Sequence, residues 1–451
     1  MPVNKDYYML TGSSGQSTGY EIDQSIRFND NDSAYMSRTP GSAGDRRTWT
    51  WSGWVKRGDL STYSAGRIFL QHGDSGSGLQ EVIRIDSAAT NQYLMYYSDP
   101  DSGYVRTTYS VNDPSAWYHF IFVKDTTHAV NSERFRIYIN GIRQTSLQNS
   151  TYPSQNSQGY INNTVLHRIG ADQNGSSSNY DGYLAEVHFL DSYAYGPEFF
   201  GEFKQNTDIW IPKEYTGSYG TNGFYLKGES SGALGNDSSG NDNDYSTNGL
   251  AADDQQPDSP TNNHAVFNPL DVASNGFTTF SEGNLAITYS GSTARELARS
   301  SITIPADTDG FFEMKITADL GSGVDFAIGI EDGSALQDAS NTTYTNGYII
   351  REDGTFSTTG SSSTSSYGTS FDQNDVIGVW RKANGDLVFY KNGTAMNSGT
   401  PAVTSVTGEM HFVAGGFNGG AGLARFASSK WTDTPTGVSS TMALNTKNLG
   451  S

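Results

Sequence analysis

The chain contains no cysteine, so disulfides, thiolate metal centres and cysteine nucleophiles are excluded from its chemistry. Charge is scarce, at 17% of residues, and one-sided: 28 Lys+Arg against 48 Asp+Glu leave a formal net charge of −20. A negative field of that kind repels phosphate backbones, which argues against nucleic acid and anionic membrane surfaces as partners. No stretch approaches the ~20 apolar residues of a membrane-crossing helix. The opening Met1-Pro2-Val3-Asn4-Lys5-Asp6 has no apolar signal region, so synthesis in the cytoplasm without membrane insertion is expected. The His residues never fall in His-x-x-x-His or His-Glu-x-x-His spacing, which removes the common zinc signatures.

What fills the sequence instead is Gly, Ser, Thr and Asn around a generous aromatic set, 12% of residues. Disordered acidic chains are poor in aromatics, and long helices consume Ala, Glu, Lys and Leu. Many strands joined by uncharged turns is the reading that remains. Period-2 alternation recurs at Trp49 to Val55, Trp117 to Val123, Phe135 to Ile142 and Tyr183 to Leu190. It returns at Phe311 to Ala318, where Phe312, Met314 and Ile316 face inward and Glu313, Lys315 and Thr317 outward, and again at Phe326 to Ile330, Val376 to Trp380 and Leu387 to Lys391. Two strands run into Asn-Gly, at Asn140-Gly141 and Asn392-Gly393, the dipeptide that supplies the positive φ angles of a tight hairpin. One short helix is expected from Pro197 to Lys204, with Phe199, Phe200 and Phe203 on one side. The fold class is all-β: two tandem antiparallel β-sandwiches. The expected division is an N-terminal arm (1–21), a first sandwich (22–215), an extended Gly/Asn/Asp/Pro-rich connection (216–275), a second sandwich (276–432) and a C-terminal tail (433–451).

Particular segments resemble known families. Ser25-Ile26-Arg27-Phe28, Trp49 to Lys56, Trp117-Tyr118-His119, Ile137 to Gly141, Arg168-Ile169-Gly170 and Asp181 to Val187 resemble a concanavalin A-like jelly roll of the laminin-G/pentraxin type. Phe312-Glu313-Met314, Ile328-Gly329-Ile330, Asp375 to Val379 and Phe389 to Gly393 resemble a SPRY (B30.2-like) domain. The connecting pieces Tyr219 to Leu226, Asp258 to Asn263 and Ala443 to Leu449 are similar to segments of a family of tailed-phage proteins that carry both domains in this order. That resemblance implies a non-enzymatic virion structural protein: a fibre, knob or capsid-surface appendage at the virion surface, assembled in the host cytoplasm. Its implied partners are other virion proteins of portal, tail, fibre or capsid and a host-surface polysaccharide. It implies a homo-oligomer, with appendage symmetry pointing to a trimer. The alternatives are a purely structural capsid decoration and a polysaccharide depolymerase of the jelly-roll glucanase type.

The residues themselves speak against the depolymerase. Retaining glycosidases need two carboxyls about 5–5.5 Å apart, and jelly-roll glucanases place them on one strand as Glu-x-Asp-x-x-Glu. The nearest match, Glu21-Ile22-Asp23-Gln24-Ser25-Ile26, ends on an apolar residue, and Glu186 stands alone on its strand. Calcium is the one cofactor the composition admits, since hard cations take several oxygens from short side chains. Two loops qualify: Asp172, Asn174, Asn179 and Asp181, and Asp237, Asn241, Asp242 and Asp244. Pentraxin-like relatives bind calcium at a sheet rim, but the same residues build ordinary turns. Glycans are gripped by flat aromatic faces with interleaved polar groups, which points to Tyr93, Tyr96, Tyr97 and Tyr104, with Tyr152, Tyr160 and Tyr180 in polar loops nearby. In the second sandwich Tyr344, Tyr348 and Tyr367 flank a Ser/Thr-rich loop and are the contact residues expected there.

Overall fold

The computed structural model describes residues 19–60, 66–73, 79–88, 91–272, 278–290, 296–318, 326–333, 347–358, 364–416 and 419–449. One compact body runs to Asn262 and a second begins at Asn263. Each is built on two large antiparallel sheets, with a further two-stranded sheet in the first, so the chain is two tandem antiparallel β-sandwiches. Among the described residues the only α-helix is the single turn Thr446–Leu449, and no helix is long and apolar enough to cross a membrane.

In the first body, strand Thr48–Arg57 lies between Trp117–Asp125 and Gly182–Asp191 at the centre of one sheet. Tyr118, Phe120 and Phe122 enter the inter-sheet core beside Trp49, Trp51 and Val55. Ile121 and Val123, on the other side of the same strand, are covered by Phe200 and Tyr215. Both faces are dry, which is why the strand reads as a continuous apolar run. The facing sheet runs through Leu147–Thr151, Gly103–Ser110, Asn91–Ser98, Glu81–Ala88, Arg67–Gly73, Leu166–Ile169, Tyr35–Arg38 and Ser246–Asn248. Both Asn-Gly pairs turn hairpins, with φ of 47° and 78° at Asn140-Gly141 and 50° and 75° at Asn392-Gly393.

The stretch expected to connect the sandwiches is largely part of the first one. Phe224–Leu226 pairs with Gly182–Asp191, Ser246–Asn248 with Tyr35–Arg38, and Gln255–Gln256 with Ser25–Phe28. Buried polar links hold it there. Arg27 donates to Asp254 at 2.9 Å, Lys56 to Asp258 at 2.7 Å, and the Trp117 indole N–H to Asp258 at 2.9 Å. Asn222 donates to Asn162, which donates in turn to Asp191, at 2.9 and 2.7 Å. Removing one partner of such a pair strands a buried charge, a loss of roughly 3–5 kcal/mol. The expected helix at 197–204 is instead a 3-10 turn, Pro197–Phe199, followed by strand Gly201–Phe203 paired with Trp210–Pro212. The three phenylalanines do not share a buried side: Phe200 is buried, and Phe199 and Phe203 are exposed.

In the second body, Phe312, Met314 and Ile316 enter the core as the alternation demands. Glu313, expected outward, is fully buried. Its carboxylate accepts from Arg425 at 3.2 Å and from the backbone N–H groups of Thr432 and Asp433 at 2.8 and 2.9 Å. The C-terminal stretch lies over this face: Trp431 meets Phe311 edge-on at 4.8 Å, and Ala443 and Leu444 are buried. Residues read as a tail therefore complete a sandwich.

Candidate functional site

Strand Asn91–Ser98 turns Leu94 and Tyr96 into the core, so period-2 geometry sends Tyr93, Met95 and Tyr97 to the outer face of the sheet. Residues directly opposite in an antiparallel pair share a face. Tyr97 pairs with Tyr104 and Val82, Met95 with Arg106 and Arg84, and Tyr93 with Asp86. One outer patch thus collects Tyr93, Tyr97, Tyr104, Arg84, Arg106 and Asp86. The Tyr97 and Tyr104 rings are 6.5 Å apart at 77°. The Arg106 guanidinium stands 5.6 Å from the centre of the Tyr93 ring and donates to Asp86 at 2.8 Å; Arg84 reaches the same carboxylate at 3.4 Å. Further along the face, Arg168, opposite Gln71 and Ser37, lies 5.4 Å from the centre of the Tyr35 ring. Two guanidinium groups, Arg84 and Arg106, converge on the Asp86 carboxylate. The Tyr97 hydroxyl donates to Asp99, and that bond, with burial second, raises its pKa. Burial draws Arg84 below its ordinary value despite the neighbouring Asp86.

The structure sorts the expected tyrosines. Tyr97 and Tyr104 are half-buried, their geometry suited to an outer contact face. Tyr93 is mostly covered, with Arg106 over its ring. Tyr96 is a core residue, stacked on Phe135 at 3.7 Å, and cannot touch a ligand, because its strand position points inward. Tyr180 is likewise buried, its hydroxyl donating to the Lys56 carbonyl at 2.8 Å, while Tyr160 lies against His72 and Tyr152 packs on the core. In the second body Tyr367 is buried, with its hydroxyl on the Thr400 carbonyl at 2.8 Å, and Tyr348 packs against the core. Tyr344 lies outside the described residues. The signal that would have separated these cases is strand parity: the outer-face arginines Arg84 and Arg106 alternate with core residues just as Tyr97 and Tyr104 do.

In the two loops read as calcium candidates, the Asp172, Asp237 and Asp244 carboxylates accept turn hydrogen bonds. Asp172 accepts from the backbone of Asn174 and Ser176, each at 3.1 Å, and from the Ser177 hydroxyl at 2.8 Å. Asp237 accepts from the backbone N–H groups of Tyr225, Ser239 and Asn243 at 2.8, 2.8 and 2.9 Å, and Asp244 accepts from Asp237 N–H at 2.8 Å. Asn241 donates to the Gly220 and Gly223 carbonyls. Among the described residues no group of three or more His, Asp or Glu is arranged to hold a metal. Asp242 contributes a left-handed turn residue, φ 57°, and the Asn179 carbonyl accepts from Arg67.

Asp181 is buried, accepting from the Asp59 N–H at 2.8 Å. Burial first, then the neighbouring Asp30, raises its carboxyl to about 7. Between pH ~4 and ~7 the folded state keeps a proton that the unfolded chain releases, so its contribution to stability falls as pH rises through that window, by about 1.4 kcal/mol per unit. Asp181→Asn is therefore expected to raise the denaturation midpoint of the first body at pH 8 and to leave it nearly unchanged at pH 4. Equal effects at both pH values would contradict this.

Glu186 occupies the most unusual backbone position in the first sandwich. Its φ is +51° inside a strand, at a bulge where the register against Thr48–Arg57 shifts between Ala185 and His188. The bulge aims its carboxylate under Tyr20 and Tyr225, whose hydroxyls donate to it at 2.9 and 2.5 Å. His188 stacks on Tyr225 at 4.3 Å and receives or donates a bond with the Tyr219 hydroxyl at 3.0 Å. Burial alone would raise the Glu186 carboxyl, but bonds from His188, Tyr225 and Tyr20 hold it below the usual range. Phenols and an imidazole, rather than a second acid, surround it. Glu21 and Asp23, the nearest sequence match to a glucanase pair, are exposed and precede the first strand.

Residues 29–195 match the family model of the Concanavalin A-like lectin/glucanases superfamily, so this stretch of the first body is similar to the domains of that superfamily. No curated protein matches the chain. Similar solved structures include the SPRY domain of human HERC1, at 15% identity over 35% of this chain and 96% of that one, with a TM-score of 0.30. A human SPRY domain is similar at 18% identity over 34% and 94%, TM-score 0.27. The native heptameric SAP-like pentraxin from Limulus polyphemus is similar at 14% identity over 39% and 80%, TM-score 0.27.

Proposed function

We propose that the chain is a non-enzymatic structural protein of a tailed-phage particle, displayed on its surface, whose first sandwich holds a host-surface polysaccharide on the outer sheet face around Tyr97 and Tyr104. The observation that carries the binding role is that face: paired tyrosine rings flanked by Arg84, Arg106 and Asp86, offering stacking surface and charged hydrogen-bond groups to a sugar. The particle role is supported by the connecting segments, which resemble the tailed-phage family and here tie the first body together through Asn222, Asp254 and Asp258. The absence of cysteine suits a part assembled in a reducing cytosol. Neighbouring portal, tail, fibre or capsid proteins would hold the chain in place, and several linked copies, as in a trimer, would multiply a weak grip.

Mass spectrometry and antibody imaging of purified particles test the particle role: the chain is expected in the virion, and blocking it is expected to slow adsorption. Presence in the particle with unchanged adsorption would leave a capsid decoration, and absence from the particle would overturn both. Tyr97→Ala and Tyr104→Ala are each expected to weaken polysaccharide binding about five- to 150-fold, a base-like stacking loss of about 1–3 kcal/mol by analogy with ring contacts elsewhere, with far-ultraviolet circular dichroism unchanged.

A further inference from the structure

Inside the first sandwich, a lysine and two carboxylates meet without access to water. Lys124 continues the inward face of Trp117–Asp125, after Phe120 and Phe122. Glu81 opens Glu81–Ala88 on the facing sheet, and Asp101 sits in the turn between Asn91–Ser98 and Gly103–Ser110. All three side chains are at 0% exposure, and Lys124 Nζ is 2.6 Å from both Glu81 Oε1 and Asp101 Oδ2. The Tyr96 hydroxyl faces both acids, 3.0 Å from Glu81 Oε1 and 3.2 and 3.3 Å from the Asp101 oxygens. The Trp49 and Tyr96 rings lie 5.9 and 5.7 Å from Nζ.

As a mere ion cluster this is poor core filling: two carboxylates and one ammonium carry a net negative charge, and apolar residues of similar volume are often as stable or more so. As a reaction centre the stoichiometry makes sense. Amide formation needs one amine, one acyl donor and one group that carries protons between them, in a dry site that favours loss of water. The two acids are not equivalent. Glu81 is pinned through its other oxygen by the Ile161 backbone N–H at 2.6 Å. Asp101 stands on a turn, beside Ser102 in the left-handed region, with the Tyr96 hydroxyl drawing electron density from its carboxyl.

We propose that Lys124 and Asp101 are joined by an intramolecular amide, formed with Glu81 as the proton carrier. Glu81 takes a proton from the Lys124 ammonium, and the nitrogen lone pair attacks Asp101 Cγ. The Nζ–Cγ bond forms while the Tyr96 hydroxyl steadies the charge on oxygen. Glu81 delivers its proton to the departing Asp101 oxygen, takes the second proton that nitrogen sheds, and passes it to that same oxygen. The Cγ–O bond breaks and the oxygen leaves as water. Ammonium plus carboxylate become amide plus water, with no oxidant or cofactor needed and Glu81 unchanged. Burial, the largest influence on it, raises the Glu81 carboxyl, in keeping with a group that holds a proton in this site. The product replaces a buried ion pair by a neutral link between the two sheets, well suited to resisting shear and proteases.

Intact-mass spectrometry of the full purified chain tests this directly. The folded protein is expected to be lighter than its sequence mass by one water, and a protease digest is expected to contain a branched peptide joined through Lys124 and Asp101. Asp101→Asn is expected to lose ammonia instead of water, and Glu81→Gln and Lys124→Arg to return to the mass of their sequences. A wild-type mass equal to the sequence mass, measured on folded protein so that no variant's stability enters, overturns the proposal. A branch through Glu81 instead of Asp101 overturns the assigned roles.

Discussion

Acidification from pH 6.5 towards 3 is expected to unfold the first body, because two of its buried histidines cannot accept a proton. The Trp210 indole can only donate, and it points its N–H at Nδ1 of His119 at 3.0 Å, so that nitrogen must be the bare acceptor and Nε2–H donates to the Ser52 hydroxyl at 2.8 Å. In His167 the arrangement is reversed: Nε2 accepts from the Asn162 N–H at 3.0 Å, and Nδ1–H donates to the Val165 carbonyl at 2.7 Å. A second ring proton would set donor against donor in both. Burial, assisted by His188 near His119 and by His72 near His167, lowers each imidazole from 6.5 to about 3. The unfolded chain therefore binds protons that the folded state refuses, and stability present above pH 6.5 is lost as pH falls through that window, at about 1.4 kcal/mol per unit for each ring. Asp181, whose carboxyl is raised, offsets one ring between about pH 6.5 and 4, so the loss steepens below pH 4. Equilibrium urea unfolding at a series of pH values checks this: His119→Gln should flatten the profile, and a profile that is flat in the wild type would contradict it.

Lys124→Met is expected to be the most damaging single core change, lowering the stability of the first body by roughly 3–5 kcal/mol at pH 7. It leaves Glu81 and Asp101 facing each other in a site with no water. With the Lys124 link gone, Asp101 regains its carboxyl beside Glu81, already raised chiefly by burial, so the variant gains relative to itself as pH falls and its carboxyls protonate. Fluorescence-detected denaturation, with Trp49 and Trp51 reporting from the same core, should show a deficit that shrinks from pH 7 to pH 5. A deficit that is small or independent of pH would mean that the carboxyls freed in the variant do not carry charge into the core.

Local pattern was readable where strands bury themselves and turn on themselves. The Trp117 to Val123 ribbon and both Asn-Gly hairpins lie where alternation and turn chemistry put them. What alternation could not convey is which polar residues are claimed by distant partners. Arg27 meets Asp254 across 227 residues and Lys56 meets Asp258 across 202, so a Gly- and Asp-rich stretch with the composition of a linker is in fact the edge of a sheet. Glu313 obeys strand parity yet is buried, because residues 431–433 fold over it. For the site, parity alone places Tyr96 inside and Tyr97 outside. The bulge at Glu186 has no local signature, since no glycine marks it and its φ of +51° is held by phenols from Tyr20 and Tyr225.

The most direct test of the proposal that the chain grips a glycan without cutting it is to titrate the purified chain with surface polysaccharide from the bacterial host of the proposed phage while assaying for new reducing ends. Saturable binding that Tyr97→Ala and Tyr104→Ala weaken, with no reducing ends released, is the predicted result. Reducing ends accumulating in proportion to the protein, or binding indifferent to both substitutions, would contradict it.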